Sequence, residues 1–229
     1  EIGSGWGSFA FYLLNKFPNI KVDTLTISKK QFDYVSEKSK LLGYENNLNV
    51  IYRDYREHLG QYNRVYSIEM FEAVGIEFWN VFFSKIRDLL IPKGIFSMQT
   101  IVIDNKYFKN YANKIDFIQK YIFPGGMLPS INELDKIAKN LNFKFNLNRK
   151  MADSYSKTLL IWSDNFNKKW NNLKTLTPNY FFVKKDLKLF NKFNKGFNLR
   201  ELFIKNSMGI ATGKDAELVD FSKEKLLDE

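Results

Sequence analysis

With 229 residues, 45% of them hydrophobic and 17% aromatic, the chain can bury one sizeable core and falls outside the disordered class. The lack of Cys excludes disulfides and thiolate metal sites, the single histidine, His58, argues against a His-built metal centre, and no apolar run approaches the roughly 18–20 residues of a membrane-spanning helix. A formal charge of +10 suits an anionic partner, phospholipid or nucleic acid, and suits equally a solvated Lys-rich surface.

Short apolar runs alternate with longer helical ones from residue 1 to about residue 170, the pattern of β-α-β units on a parallel sheet. Glu1-Ile2 reads as the tail of a strand whose upstream part is missing, with no signal peptide in what remains. Helices are expected over 8–16, 29–42, 78–90 and 131–141, and strands over 22–27, 48–53, 64–68, 94–103 and, more weakly, 143–147. Ser28 is placed to cap the second helix, and Pro92-Lys93-Gly94 to close the third and turn the chain into the next strand. Phe123-Pro124-Gly125-Gly126-Met127-Leu128-Pro129 is expected as a loop over one end of the sheet.

Glu1-Ile2-Gly3-Ser4-Gly5-Trp6-Gly7 lies between a strand end and a helix start. Side-chain-free positions there let the backbone turn tightly and approach a ligand, and the helix offers unpaired amides. The spacing is not that of the three-glycine dinucleotide fingerprint, and no Gly-Lys-Ser/Thr follows as in a phosphate loop. An acidic residue before alternating glycines is the arrangement methyltransferases use around the amino-acid part of S-adenosylmethionine. Gly3, Gly5 and Gly7 are therefore expected at the cofactor. Thr26, Ser28 and Gln31 stand where a carboxylate commonly meets the ribose; Asp23, the nearby acid, is expected to point away. Asp54 and Tyr55 follow the next strand, where Asp54 can accept from an adenine amine.

Thr26-x-Ser28-x-x-Gln31, Asp54-Tyr55-Arg56, Ser67-Ile68-Glu69-Met70-Phe71-Glu72-Ala73-Val74-Gly75, Gln99-Thr100-Ile101 and Asp116-Phe117-Ile118-Gln119-Lys120-Tyr121-Ile122-Phe123-Pro124-Gly125-Gly126-Met127-Leu128-Pro129-Ser130 resemble, in order and spacing, cyclopropane-fatty-acyl-phospholipid synthases, over about residues 1–170. The resemblance implies a doubly wound, Rossmann-like class I methyltransferase sheet, N-terminally truncated. It implies methylene transfer from S-adenosylmethionine to the cis double bond of an unsaturated phospholipid acyl chain, by a cytoplasmic enzyme peripheral to the inner face of the membrane. It further implies a bound bicarbonate as base, with Glu72 and Tyr155 matching the family's glutamate and tyrosine, Gln99 standing where some members carry a histidine, and Ile101 as backbone donor. Glu69 ranks behind Glu72. No metal is implied. The family's bicarbonate-holding cysteine and its cofactor-covering helices lie upstream of the glycine motif, before this chain begins. Whether the enzyme acts as a homodimer is left open.

Beyond Trp170 the family's final strand is expected to be missing. Phe181-Phe182-Val183-Lys184-Lys185-Asp186 and Asn206-Ser207-Met208-Gly209-Ile210-Ala211-Thr212-Gly213-Lys214-Asp215 are similar to a segment of adenine-specific DNA methyltransferases of restriction systems. Residues 1–176 are thus read as the methyltransferase domain and 177–229 as an atypical extension, a fused fragment. The rival functions are a DNA-modifying or DNA-binding protein, suggested by the charge and the tail, and an inactive cofactor-binding fragment.

Overall fold

A computed structural model describes residues 1–121, 123–173 and 216–223. In chain order these form α1 (Ser8–Lys16), β1 (Val22–Thr26), α2 (Lys29–Leu41), β2 (Leu48–Tyr52), β3 (Tyr62–Ile68), α3 (Trp79–Leu89), β4 (Leu90–Ile101), α4 (Asn105–Ala112), α5 (Phe117–Tyr121), α6 (Ile131–Asn140), β5 (Phe143–Lys150), α7 (Ala152–Leu173) and β6 (Ala216–Lys223).

β1 pairs in parallel with β2, from Val22 opposite Leu48 to Thr26 opposite Tyr52. A second sheet runs β3-β4-β6-β5, with β3 and β4 parallel and β6 antiparallel to both its neighbours. Glu1 and Ile2 join the two: the Ile2 amide donates to the Tyr66 carbonyl at 2.8 Å, and the Leu25 amide to the Glu1 carbonyl at 2.9 Å. Their position between β1 and β3 makes one twisted surface and sets the glycine turn at its carboxyl edge.

β1 is buried at four of its five positions, as a strand covered on both faces requires. In α3, Trp79, Phe82, Phe83, Ile86 and Leu89 recur at helical spacing and are all buried. Phe71, Phe82, Phe83 and Phe96 are fully buried and pack with ring centroids 5.1–6.0 Å apart. Such pairs add about 0.5–1.5 kcal/mol each beyond their burial. A second cluster joins Ala10, Phe11 and Leu14 of α1 to Val22, Val35 and Leu48.

Polar side chains fix where the helices begin. Ser28 accepts from the Gln31 amide, Asp104 from Lys106 and Ser130 from Glu133, each satisfying a first-turn donor. Helix α4 has a half-buried face of Phe108, Tyr111 and Ala112, the same spacing read from the sequence elsewhere but overlooked here. Pro92-Lys93-Gly94 does not close α3. It forms a bulge inside β4, where the register slips between Tyr62 opposite Leu90 and Arg64 opposite Ile95, and Lys93 takes φ 62°.

The expectation of a missing final strand is corrected: Ala216–Lys223 fills the antiparallel position between β4 and β5. Backbone pairing, which side-chain pattern does not report, recruits this segment. The motif-bearing stretches 181–186 and 206–215 lie outside the described residues. No described helix is long and apolar enough to cross a membrane.

Candidate functional site

The glycine turn has Gly3, Gly5 and Gly7 all in the left-handed region, at φ 88°, 50° and 78°. A Cβ on Gly3 would stand 2.8 Å from Met70 Cγ, so the first glycine is demanded by close approach as well as by conformation. Gly5 has nothing within 4 Å on its Cβ side, so that side of the turn is open. Gly7 heads α1 without a side-chain cap, leaving first-turn amides for a ligand. Glu1 Oε2 accepts from the Thr24 hydroxyl at 2.6 Å, and burial raises its pKa.

After β1, the Thr26 hydroxyl donates to Gln31 Oε1 at 2.8 Å and accepts from the Ser28 amide at 3.1 Å. Thr26 thus occupies one lone pair of Gln31 Oε1, and Gln31 retains its Nε2 donors. Asp54 caps a single 3-10 turn, Tyr55–Glu57, accepting from the Arg56 amide at 2.9 Å and from its guanidinium at 3.0 and 2.6 Å. The Arg56 side chain holds the Asp54 carboxyl below the usual carboxylate range. Tyr55 packs edge-on against Phe82 at 5.3 Å, on the core side. Asp23 points away from this edge, as expected; Oδ2 accepts from Tyr62 Oη at 2.5 Å.

Glu72 sits in a 3-10 turn, Phe71–Ala73, directly after β3. Its Oε1 accepts from the Ile101 amide at 2.6 Å, while Oε2 is buried and has no hydrogen-bond partner. Burial raises its pKa, opposed by the Ile101 amide, its own amide and the nearby Thr100 hydroxyl, and reinforced by the charge of Glu69. The carbonyl of Glu72 accepts from the Met127 amide at 2.9 Å, so the 123–129 loop is bonded to this residue. Gln119 Nε2 donates to the Gly126 carbonyl at 3.2 Å, and the Leu128 amide to Tyr111 Oη at 3.2 Å, tying the loop to the segment below it.

Gln99 lies on β4 two residues before Ile101. Its Nε2 donates to Glu69 Oε1 at 2.9 Å and to Tyr155 Oη at 2.7 Å, Tyr155 coming from the first turn of α7. The structure therefore brings Glu72 to Ile101 and Gln99 to Tyr155. It gives the Ile101 amide to Glu72 itself, and both Gln99 hydrogens to Glu69 and Tyr155, where donors to a bound base were expected. Glu69, ranked behind Glu72 from the sequence, meets Gln99 from a left-handed backbone conformation, φ 50°, that no residue pattern announces. No group of three metal-ligating side chains exists among the described residues.

A glycine turn at a strand-to-helix junction, polar groups after the next two strands and a buried carboxyl under a loop are the parts of a class I methyltransferase, and that is the fold of this chain. It has the fold of the cyclopropane synthase MmaA2 from Mycobacterium tuberculosis (TM-score 0.72, 19% identity, 96% of this chain and 75% of that one). It is likewise similar to mycolic acid cyclopropane synthase CmaA1 complexed with SAH and CTAB (TM-score 0.70, 24% identity, 96% and 74%).

The chain belongs to the mycolic acid cyclopropane synthetase family, whose profile it matches over residues 1–199. It is 31% identical over 170 residues to cyclopropane-fatty-acyl-phospholipid synthase of Escherichia coli (strain K12), covering 74% of this chain and 42% of that protein. It is 29% identical over 167 residues to tuberculostearic acid methyltransferase of Mycobacterium tuberculosis (strain ATCC 25618 / H37Rv), covering 72% and 39%. The chain thus spans about two fifths of the length of these two relatives.

Proposed function

We propose that the chain carries the catalytic site of an S-adenosylmethionine-dependent enzyme that adds a methylene to the cis double bond of an unsaturated phospholipid acyl chain, closing a cyclopropane ring. The observation that carries this reading is Glu72: a buried carboxyl with one oxygen fixed by the Ile101 amide and the other unpartnered, beneath a loop bonded to its own backbone. When bound, S-adenosylmethionine supplies an electrophilic methyl group and bicarbonate supplies the base that takes the proton lost on ring closure.

The residues present suit both groups. The open side of Gly5 and the uncapped first turn of α1 suit the amino-acid end of the cofactor, and Gln31 Nε2 its ribose. Glu72, through its unpartnered Oε2, and the Tyr155 hydroxyl, whose oxygen already accepts from Gln99, are the residues that would hold a bicarbonate. The burial of the Glu72 carboxyl beneath the loop would keep water from a cationic intermediate on the acyl chain, which water would otherwise trap.

Around the loop, Tyr107, Ile115 and Phe123 are exposed beside the exposed Lys106, Lys109 and Lys114. Aromatic and apolar tips among lysines suit the surface of an anionic bilayer and support peripheral attachment there. In this reading residues 1–176 form the catalytic unit and the 177–229 extension supplies β6. A second outcome, methyl transfer without ring closure, is favoured by the similarity to tuberculostearic acid methyltransferase.

Methyl-labelled S-adenosylmethionine and vesicles of unsaturated phospholipid, with mass analysis of released fatty acids, test the reading. A gain of one methylene with loss of the double bond, abolished in Glu72→Gln, supports cyclopropanation. A branched or methylenated product supports the second outcome, and no product despite cofactor binding overturns both.

A further inference from the structure

We propose that Glu69 is a positioning residue that locks the Gln99 amide and, through it, aims the Tyr155 hydroxyl at the anion held beside Glu72. The assignment rests on the function proposed above and deepens it.

Glu69 has φ 50°, in the left-handed region where a glutamate is strained and Gly or Asn is ordinarily found. It is also exposed, so burial does not explain the choice of side chain. Strain of this kind persists where the surroundings demand it and gathers at functional sites. The surroundings here are specific. The Glu69 amide donates to the Gln99 carbonyl at 2.9 Å, and Glu69 Oε1 accepts from Gln99 Nε2 at 2.9 Å, so one residue grips both the backbone and the side chain of Gln99.

A carboxylate only accepts, so the NH2 end of Gln99 must face Glu69, and this fixes the orientation of the amide. The second hydrogen of that NH2 then goes to Tyr155 Oη at 2.7 Å, making the phenol oxygen an acceptor. Its own hydrogen is left to be donated elsewhere, which is what presentation to an anion requires. If Gln99 were reversed, its oxygen would face Tyr155, draw the phenolic hydrogen to itself and withdraw it from the site. Glu69 therefore selects which way Tyr155 donates. Its charge also helps to raise the pKa of Glu72.

Two variants of the full chain separate the parts of this assignment. Glu69→Gly relieves the backbone and removes the acceptor; Glu69→Gln keeps an acceptor oxygen and removes the charge. For Glu69→Gly the expectation is a thermal midpoint equal to or above the parent's, kcat and bicarbonate affinity each down by about tenfold, the size of one charge-assisted hydrogen bond, and an unchanged KM for S-adenosylmethionine. For Glu69→Gln, whose amide can donate as well as accept and so holds the Gln99 orientation less firmly, kcat and affinity fall by less than in Glu69→Gly while the acid limb of the rate profile moves to lower pH. Bicarbonate affinity is read by titration calorimetry in the presence of S-adenosylhomocysteine, independently of turnover.

Full activity and affinity in Glu69→Gly overturn the assignment, as does a lowered thermal midpoint that accounts for the loss. Equal impairment of both variants overturns the acceptor role. A parent that binds no bicarbonate overturns the aiming of Tyr155 at an anion. If the parent turns over no lipid yet the calorimetric split appears, the functional reading fails and the assignment of Glu69 stands.

Discussion

The Ile101 amide donates to Glu72 Oε1 at 2.6 Å while the other oxygen of the same carboxyl is buried without a partner. A backbone donor on a strand thus orients the group and leaves its second oxygen buried with its acceptor capacity unused. Replacing Glu72 with Gln keeps the size and the Ile101 bond but removes the acceptor capacity of a carboxylate. A positioned proton-handling group contributes roughly 10²–10⁴-fold, so kcat for Glu72→Gln should fall by about that factor with cofactor affinity unchanged. Turnover on unsaturated phospholipid vesicles beside S-adenosylhomocysteine calorimetry checks it.

The same carboxyl makes a stability prediction. Burial raises the pKa of Glu72, so the native protein holds this proton more tightly than the unfolded chain does. Its contribution is present below the unfolded value and is lost as pH rises through the raised native one. Glu72→Gln has no proton to lose and should gain thermal midpoint over the parent progressively across that window. An unchanged difference between mildly acidic and neutral pH would refute the burial argument.

His58 should behave in the opposite sense. Burial lowers its pKa, so the native state resists the proton that the unfolded chain accepts. Its contribution is present above the unfolded value and lost as pH falls through the lowered one. His58→Gln should flatten the decline of thermal midpoint between about pH 7 and pH 5, where an ordinary histidine titrates.

The Tyr62 hydroxyl links His58 Nε2 at 2.7 Å to Asp23 Oδ2 at 2.5 Å. Tyr62→Phe leaves both partners without that bond and should destabilise the protein by about 1–3 kcal/mol. Denaturant unfolding measures it, with methyl transfer unaffected because none of the three touches the site.

Two glycines of one turn should respond differently to Ala. Gly3→Ala combines φ 88° with a Cβ 2.8 Å from Met70 Cγ, so it should lower stability by more than about 1 kcal/mol. Gly5→Ala meets no protein atom, so beyond the strain of φ 50° its methyl projects into the open space proposed for the cofactor. The expectation is a smaller drop in thermal midpoint and the larger loss of S-adenosylhomocysteine affinity.

Much of the fold was legible because the parallel strands are short, apolar and evenly spaced by amphipathic helices. Residues 8–16 were read as a helix and α1 is Ser8–Lys16; residues 22–27 contain β1. Asp23 was read as pointing away because strand alternation alone decides it. What escaped depends on tertiary context. β6 is defined by hydrogen bonds to β4 and β5, β4 runs through a Pro-Lys-Gly bulge that reads locally as a turn, and α7 keeps most of its surface exposed and so shows no clean apolar stripe. The bond from the Ile101 amide to Glu72, where a donor to the bound base was expected, and the partners of Gln99 depend on tertiary placement that residue spacing does not carry.

The Met127 amide is bonded to the Glu72 carbonyl, and a Cβ on Gly126 would stand only 3.3 Å from that same oxygen. Loop and carboxyl are therefore one mechanical unit: any displacement of the loop backbone at Gly126 and Met127 pulls on the peptide that carries Glu72, so the seat of the loop and the aim of the carboxyl are set together.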